Sequence, residues 1–182
     1  MSRNRFFSVM ALGALILPAT VLAQDAGPRL ALELRGGANV PTFDIADIAR
    51  TGPSFGAGLD LAFGSRYHLL AEGDFGFHDG VTGPGVDVFH FMGKFGVDLL
   101  NARSPWIFMV NAGAGALRFA LDGGPSYTYP AINVGAKIGY RVTPTISFVL
   151  SPQGDIAISD EAELTTNNTW VWPFGAGIRI QF

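Results

Sequence analysis

The sequence predicts an all-β chain closed into an eight-stranded, antiparallel, up-and-down transmembrane β-barrel, and three observations carry that prediction. Apolar and polar residues alternate with period two along long segments, which puts one face of each strand in an apolar medium and the other in a polar or tightly packed one. Beyond the amino-terminal segment, no apolar run approaches the eighteen or so residues that a membrane helix needs, so a spanning structure has to be a closed sheet. The connections between the alternating segments are short and long by turns, the pattern of a barrel threaded back and forth through a bilayer.

Residues 1–23 have the form of an export signal: Arg3 and Arg5 make a basic start, Phe6 to Leu17 an apolar stretch, and Val21-Leu22-Ala23 a small-residue cleavage site. The barrel domain is then residues 24–182, roughly 160 residues, enough for one domain and not two. Cysteine is absent, which removes disulfides, thiolate nucleophiles and the usual structural zinc sites. Loss of Arg3 and Arg5 with the signal takes the formal net charge from -3 to about −5, and no basic stripe remains to hold nucleic acid.

Eight segments keep strict alternation: Arg29–Gly37, Pro53–Phe63, Tyr67–His78, Val86–Leu99, Pro105–Leu117, Pro130–Val142, Ile146–Ile158 and Thr169–Phe182. Gly64 to Arg66, Leu100 to Ser104 and Thr143 to Thr145 are the short turns. The long loops are Ala38 to Gly52, Asp79 to Gly85, Arg118 to Tyr129 and Ser159 to Asn168. The last segment shows the pattern most clearly, with Trp170, Trp172, Phe174, Ala176, Ile178, Ile180 and Phe182 on one face. Other outward faces are equally apolar, as in Phe91, Phe95, Phe108, Phe148 and Leu150. Aromatic residues gather near the ends, Tyr67, Trp106, Tyr140 and Phe182 at the turn side and Phe77, Phe89, Trp170 and Trp172 at the loop side, as in the interfacial girdles of membrane barrels.

A weak repeat links Phe55-Gly56-Ala57-Gly58-Leu59-Asp60-Leu61 with Phe174-Gly175-Ala176-Gly177-Ile178-Arg179-Ile180. Phosphate-binding glycines precede a helix, whereas these lie on inward strand positions, where a missing side chain makes room for a large neighbour. Inward positions also collect the charges Glu33, Arg35, Asp60, Glu72, Asp74, Lys94, Asp98, Lys137, Arg141, Asp155 and Arg179, with His68 and His90 nearby. Eight strands enclose space for little beyond side chains, so these groups are expected to pair and plug the lumen. The interior network is assigned to Glu33, Arg35, Asp60, Glu72, Lys94, Lys137 and Arg179, with Glu72–Lys94 and Glu33–Arg179 as direct pairs.

Other chemistry is weaker on the page. Glu72 and Asp74 with His68 or His90 form no known metal-ligand spacing, and no metal or cofactor is expected. An acyl-transfer enzyme needs a serine within reach of a held base, and only His78 beside Ser126 or Ser159 offers that, so no catalytic residue is assigned. The loops are acidic, with Asp44, Asp47, Asp79, Asp87, Asp122, Asp160, Glu161 and Glu163 against Arg50 and Arg118. Such loops are either solvated or share divalent cations with lipid phosphates.

Through its alternating strands, the turn at Arg141-Val142-Thr143-Pro144 and the terminal Trp170-Val171-Trp172-Pro173-Phe174 strand ending at Phe182, the chain resembles the small OmpA-like and OmpX-like outer-membrane barrels of Gram-negative bacteria. That resemblance implies a monomer in the outer membrane with periplasmic termini. Its implied partners are outer-membrane lipid, lipopolysaccharide and the barrel-assembly machinery, the last through the strand ending at Phe182. The expected function is non-enzymatic, with a plugged interior and loops for surface contacts. A narrow channel or small-ligand carrier lined by Glu72, Lys94 and Lys137 is the alternative, with a lipid A-modifying enzyme or a soluble lipocalin-like barrel behind it.

Overall fold

The computed structural model describes residues 28–100, 103–160, 164 and 169–182. The export signal at residues 1–23 and the loop acids Glu161 and Glu163 lie outside the described residues. The strands are β1 Arg29–Thr42, β2 Gly52–Phe63, β3 Tyr67–His78, β4 Val86–Asp98, β5 Trp106–Leu121, β6 Ser126–Arg141, β7 Ile146–Ala157 and β8 Thr169–Gln181. Each pairs antiparallel with the next and β8 pairs with β1, so the sheet closes into a barrel. Closure satisfies the backbone groups that an edge strand would leave open.

Period two is visible in the burial of every strand. Along β3, His68, Leu70, Glu72, Asp74, Gly76 and His78 are buried while Leu69, Ala71, Phe75 and Phe77 are exposed. The outside is therefore apolar and the inside holds most of the strand charges, the inverse of a water-soluble protein. One interruption of the ladder comes from proline. Pro152 offers no N–H to Ala136 opposite it, and the Gln153 side-chain amide donates to the Ala136 carbonyl at 3.1 Å instead.

Three strands run farther toward the loops than the sequence spacing predicts. β5 continues to Leu121 and β6 starts at Ser126, so residues 122–125 alone connect them in place of the expected loop Arg118–Tyr129. β1 extends from the expected Gly37 to Thr42, paired to β8 as far as Trp170. The physical reason is apolar: the inward phase set by Met109 and Asn111 carries on to Leu117 and Phe119, both fully buried, and Phe119 meets buried Tyr129 at 6.2 Å between ring centroids. A short 3-10 helix, Phe43–Asp47, follows β1 and drops Ile45 into the mouth.

The lumen accordingly has two halves. Nearer the loops, Val88, Met92, Leu117, Phe119, Tyr129 and Val171 form a buried apolar cluster, closed from above by Ile45, Ala49 and Leu164. The charged side chains expected to face inward occupy the half nearer the turns. The first two long connections are tied together across that cap: Ala49 bridges Gly80, Arg50 N–H donates to Asp79 O at 2.9 Å, and Val81 N–H donates to Ile48 O at 3.1 Å.

Candidate functional site

The site is the polar half of the lumen, and Arg35 on β1 is its centre. Its Nε and Nη2 clamp Asp74 on β3 at 3.0 and 2.5 Å, Nη1 bonds Glu33 at 2.9 Å, and Nη2 bonds Glu72 at 2.9 Å. Arg35 reaches β3 because β2, lying between, presents only glycine there. A Cβ on Gly56 would overlap the Asp74 carboxylate and stand 3.0 Å from Arg35 Nε, and one on Gly58 would stand 3.0 Å from Glu72 Cγ. Glycine on the far side does the same: a Cβ on Gly175 would lie 2.9 Å from Arg35 Cδ.

Glu72 gathers two further cations. Lys94 Nζ on β4 lies 2.6 Å from its Oε2, and Lys137 Nζ on β6 lies 2.6 Å from its Oε1, off the line of a hydrogen bond. Lys137 also bonds Glu33 at 2.7 Å, and Lys94 bonds Gln153 Oε1 on β7 at 3.0 Å. Arg35, Lys94 and Lys137 thus balance Glu33, Glu72 and Asp74, and the contacts tie β1, β3, β4, β6 and β7 across the barrel. All six are buried. Charges removed from water are tolerated in such a place when each is paired and hydrogen-bonded.

A second cluster lies toward the turns. Asp60 on β2 accepts His68 Nδ1 at 2.8 Å and meets Arg179 Nη1 on β8 at 2.7 Å. The expected Glu33–Arg179 pair is thereby corrected. The two residues are cross-strand partners, yet Arg179 leans over the small Ala31 of β1 to reach Asp60, while Glu33 is held by Arg35 and Lys137. Arg141 sits 3.5 Å from Asp98 at the turn-side rim.

A third group crosses the barrel below the apolar half. Asp155 on β7 meets His90 Nδ1 at 2.5 Å and accepts Asn133 Nδ2 at 2.5 Å, while His90 Nε2 faces Asn39 Nδ2 at 2.8 Å. The imidazoles considered as partners of Glu72 and Asp74 are therefore engaged elsewhere, His68 by Asp60 and His90 by Asp155. Sequence reasoning missed Gln153, Asn39 and Asn133 as members of these networks. It also missed the apolar filling by Leu117, Phe119 and Tyr129, whose signal was the unbroken inward phase past Arg118.

No protein-family model and no curated protein sequence matches the chain. Solved structures do. The Neisserial surface protein A, NspA, aligns with a TM-score of 0.68 at 15% identity, over 86% of this chain and 99% of that one. The small eight-stranded outer-membrane barrel is the fold of this chain. A major outer membrane protein of Thermus thermophilus aligns with a TM-score of 0.61 at 12% identity, over 86% of this chain and 100% of that one. Ail, the attachment invasion locus protein of Yersinia pestis, aligns with a TM-score of 0.56 at 10% identity, over 85% of this chain and 98% of that one.

In an outer-membrane barrel the aromatic rims have a geometric meaning, and the named residues fall at the two ends of the strands. At the turn end Tyr67 stacks on Phe63 and Phe95, each at 5.9 Å, Trp106 meets Tyr140 edge-on at 5.0 Å, and Phe182 N–H donates to Leu30 O at 2.8 Å. At the loop end Phe43 meets Trp170 at 5.4 Å, and Trp172 Nε1–H donates to Thr42 Oγ1 at 3.1 Å. The Trp172 ring also covers Gly154 on the outer face, where a Cβ would stand 2.8 Å from it.

Close approach of this kind makes a prediction at Gly177, the cross-strand partner of Arg35. A Cβ there would overlap the Leu34 carbonyl oxygen and stand 2.8 Å from Arg35 Cα, backbone atoms that cannot step aside. Gly177→Val is expected to lower stability by about 1–3 kcal/mol. Urea unfolding of the barrel in lipid vesicles checks this; an unchanged midpoint would show that β1 and β8 are less tightly apposed.

Proposed function

We propose that this chain is a non-enzymatic, monomeric outer-membrane protein of a Gram-negative bacterium, exported by residues 1–23 and inserted by the barrel-assembly machinery through the strand ending at Phe182. Its termini face the periplasm and its longer loops face outward, where they meet lipopolysaccharide or other surface components. The barrel itself is a sealed, rigid pedestal. One observation carries this reading: Lys137 and Lys94 reach across the lumen to Glu33, Glu72 and Gln153, with a buried apolar cluster stacked above them. Ion pairs that span an eight-stranded barrel leave no continuous water path, and moving an ion past them would require breaking contacts that nothing else in the lumen replaces.

The apolar belt supports residence in lipid, since Phe55, Phe91, Phe148 and Leu150 are each more than half exposed, at 56%, 51%, 57% and 55%. By name NspA is a surface protein and Ail an attachment invasion locus protein, which accords with a surface role. The described residues of the outer rim support a non-enzymatic reading, since none of them is a hydrogen-bonded partner of the His78 ring that could serve as an acyl-transfer nucleophile. His78 Nδ1 bonds the Arg50 carbonyl at 2.7 Å, and its Nε2 has no hydrogen-bond partner among the described residues.

Planar-bilayer recording of the purified barrel tests the proposal. No discrete current steps are expected above the bare membrane. Steady single-channel openings would overturn the sealed pedestal and establish the alternative, a narrow pore lined by Glu72, Lys94 and Lys137.

A further inference from the structure

At the turn-side mouth of the lumen, guanidiniums stand in the inward phase of neighbouring strands. Arg141 on β6 is the cross-strand partner of Ser147 on β7, and Ser147 is in turn the partner of Arg179 on β8. On β1, Arg29 continues the inward phase of Glu33 and Ala31, one step past the pairing of Ala31 with Gln181. The arc is therefore Arg141, Ser147, Arg179 and Arg29, from four consecutive strands of the closed sheet, and the charges of Arg29 and Arg179 both act on Arg141. Arg66 stands at the same rim, its carbonyl accepting the Asp98 N–H at 2.8 Å.

Asp60 and Asp98 are the side-chain carboxylates of this end among the described residues, and both are engaged. Asp60 is held by His68 and Arg179, while Asp98 accepts the Leu100 N–H at 3.0 Å and meets Arg141 at 3.5 Å. Arg141 also donates to the Ser104 carbonyl. Positive charge is thus left over on Arg29 and Arg66, which are exposed and form no ion pair among the described residues. Arg103, in the β4–β5 connection, has an interaction of its own and is not counted. The excess has a focus at Ser147. That residue is 7% exposed and its hydroxyl makes no hydrogen bond among the described residues, although an arginine is its partner on either side. Arginine supplies donors only, so a group that satisfies the hydroxyl proton and the guanidiniums together is an acceptor with several oxygens. A carboxylate brings two oxygens and one charge, whereas a phosphate brings three or four and up to two, which suits donors converging from several strands. A cation is repelled.

We propose that the turn-side mouth binds a phosphate-class oxyanion, free or as the terminal group of a larger molecule. The anion lies over Ser147, accepts its O–H and takes guanidinium N–H groups from Arg29 and Arg141, while Arg179 stays with Asp60. Arg66 adds long-range attraction from the rim. This site stands apart from the network around Arg35, so it holds whether or not the barrel conducts and whichever compartment the turns face.

Calorimetric titration of the folded barrel in phosphatidylcholine vesicles at low salt, corrected with empty vesicles, tests it with inorganic phosphate and acetate as probes. Phosphate is expected to saturate one site, acetate to bind at least about tenfold more weakly, and the phosphate affinity to fall as salt rises. Ser147→Ala removes only the hydroxyl and should weaken phosphate about fivefold. Arg29→Gln should weaken it by a similar factor, about fivefold, and leave acetate less affected. Arg29 is exposed and unpaired among the described residues, so its variant folds even if Ser147→Ala does not. Phosphatidic acid added to the vesicles separates the two sources of the anion. A phosphate curve displaced to higher concentration assigns the site to a lipid headgroup, and an unmoved curve assigns it to a soluble phosphate. Failure of phosphate to saturate, acetate binding as tightly, or an unaltered phosphate affinity in Arg29→Gln would overturn the proposal.

Discussion

Arg35→Met barrels are expected to lose at least about 3–5 kcal/mol of stability, the cost of stranding buried charge, out of the roughly 5–15 kcal/mol that a folded domain has in total. Arg35 is the only cation in ion-pair range of Asp74 among the described residues, whereas Glu33 retains Lys137 and Glu72 retains Lys94 and Lys137. The loss is therefore local to Asp74 in its origin. Adding Asp74→Asn to Arg35→Met should recover more stability than adding Glu33→Gln, because only the first removes an unpaired charge. Urea midpoints in vesicles, read by the mobility difference between folded and boiled protein on gels, give the comparison. Equal recovery by the two second substitutions would show that the network shares charge diffusely and that Arg35 has no privileged partner.

The second large effect concerns Glu72, the carboxylate that faces three cations. Glu72→Gln leaves Lys94 with Gln153 as its remaining contact, and a stability loss of about 3–5 kcal/mol is expected. Lys94→Met alone is destabilising as well, since it withdraws one of the three cations paired with the buried Glu72 carboxylate. The double variant should be more stable than the sum of the single losses predicts, by about 0.5–3 kcal/mol, the coupling usual for neighbours in one network. Recovery stays partial because Arg35 and Lys137 still face the altered side chain. Strict additivity of the two losses would separate Lys94 from Glu72 energetically, whatever their 2.6 Å distance.

Much of the candidate site was legible along the chain because a strand has only two faces. Glu72 and Lys94 lie on adjacent strands with inward phase, and the pair predicted from that placement is present at 2.6 Å. Arg179 shows where such placement stops. Its register partner is Glu33, but a guanidinium on a flexible stem reaches a neighbour's neighbour when the residue between is small, and Ala31 lets it reach Asp60. Arg35 does the same over Gly56 to Asp74, a contact that spans two strand intervals and has no one-dimensional signature.

What the sequence determined by itself was the partition of solvent: period-two alternation allows each strand to sort its side chains into a lipid face and a lumen face, and eight such strands with no tolerable edge have to close. What only the tertiary structure decided was the content of the lumen at each depth. Strand stagger and the small residues on β1 and β2 select which opposite charges meet, and the loop-side ends of β5 and β6 pair beyond the expected turn because Leu117, Phe119 and Tyr129 find one another there. The physical reason is reach: facing is a property of one strand, whereas pairing and packing depend on which strands the closed sheet brings within a side chain's length.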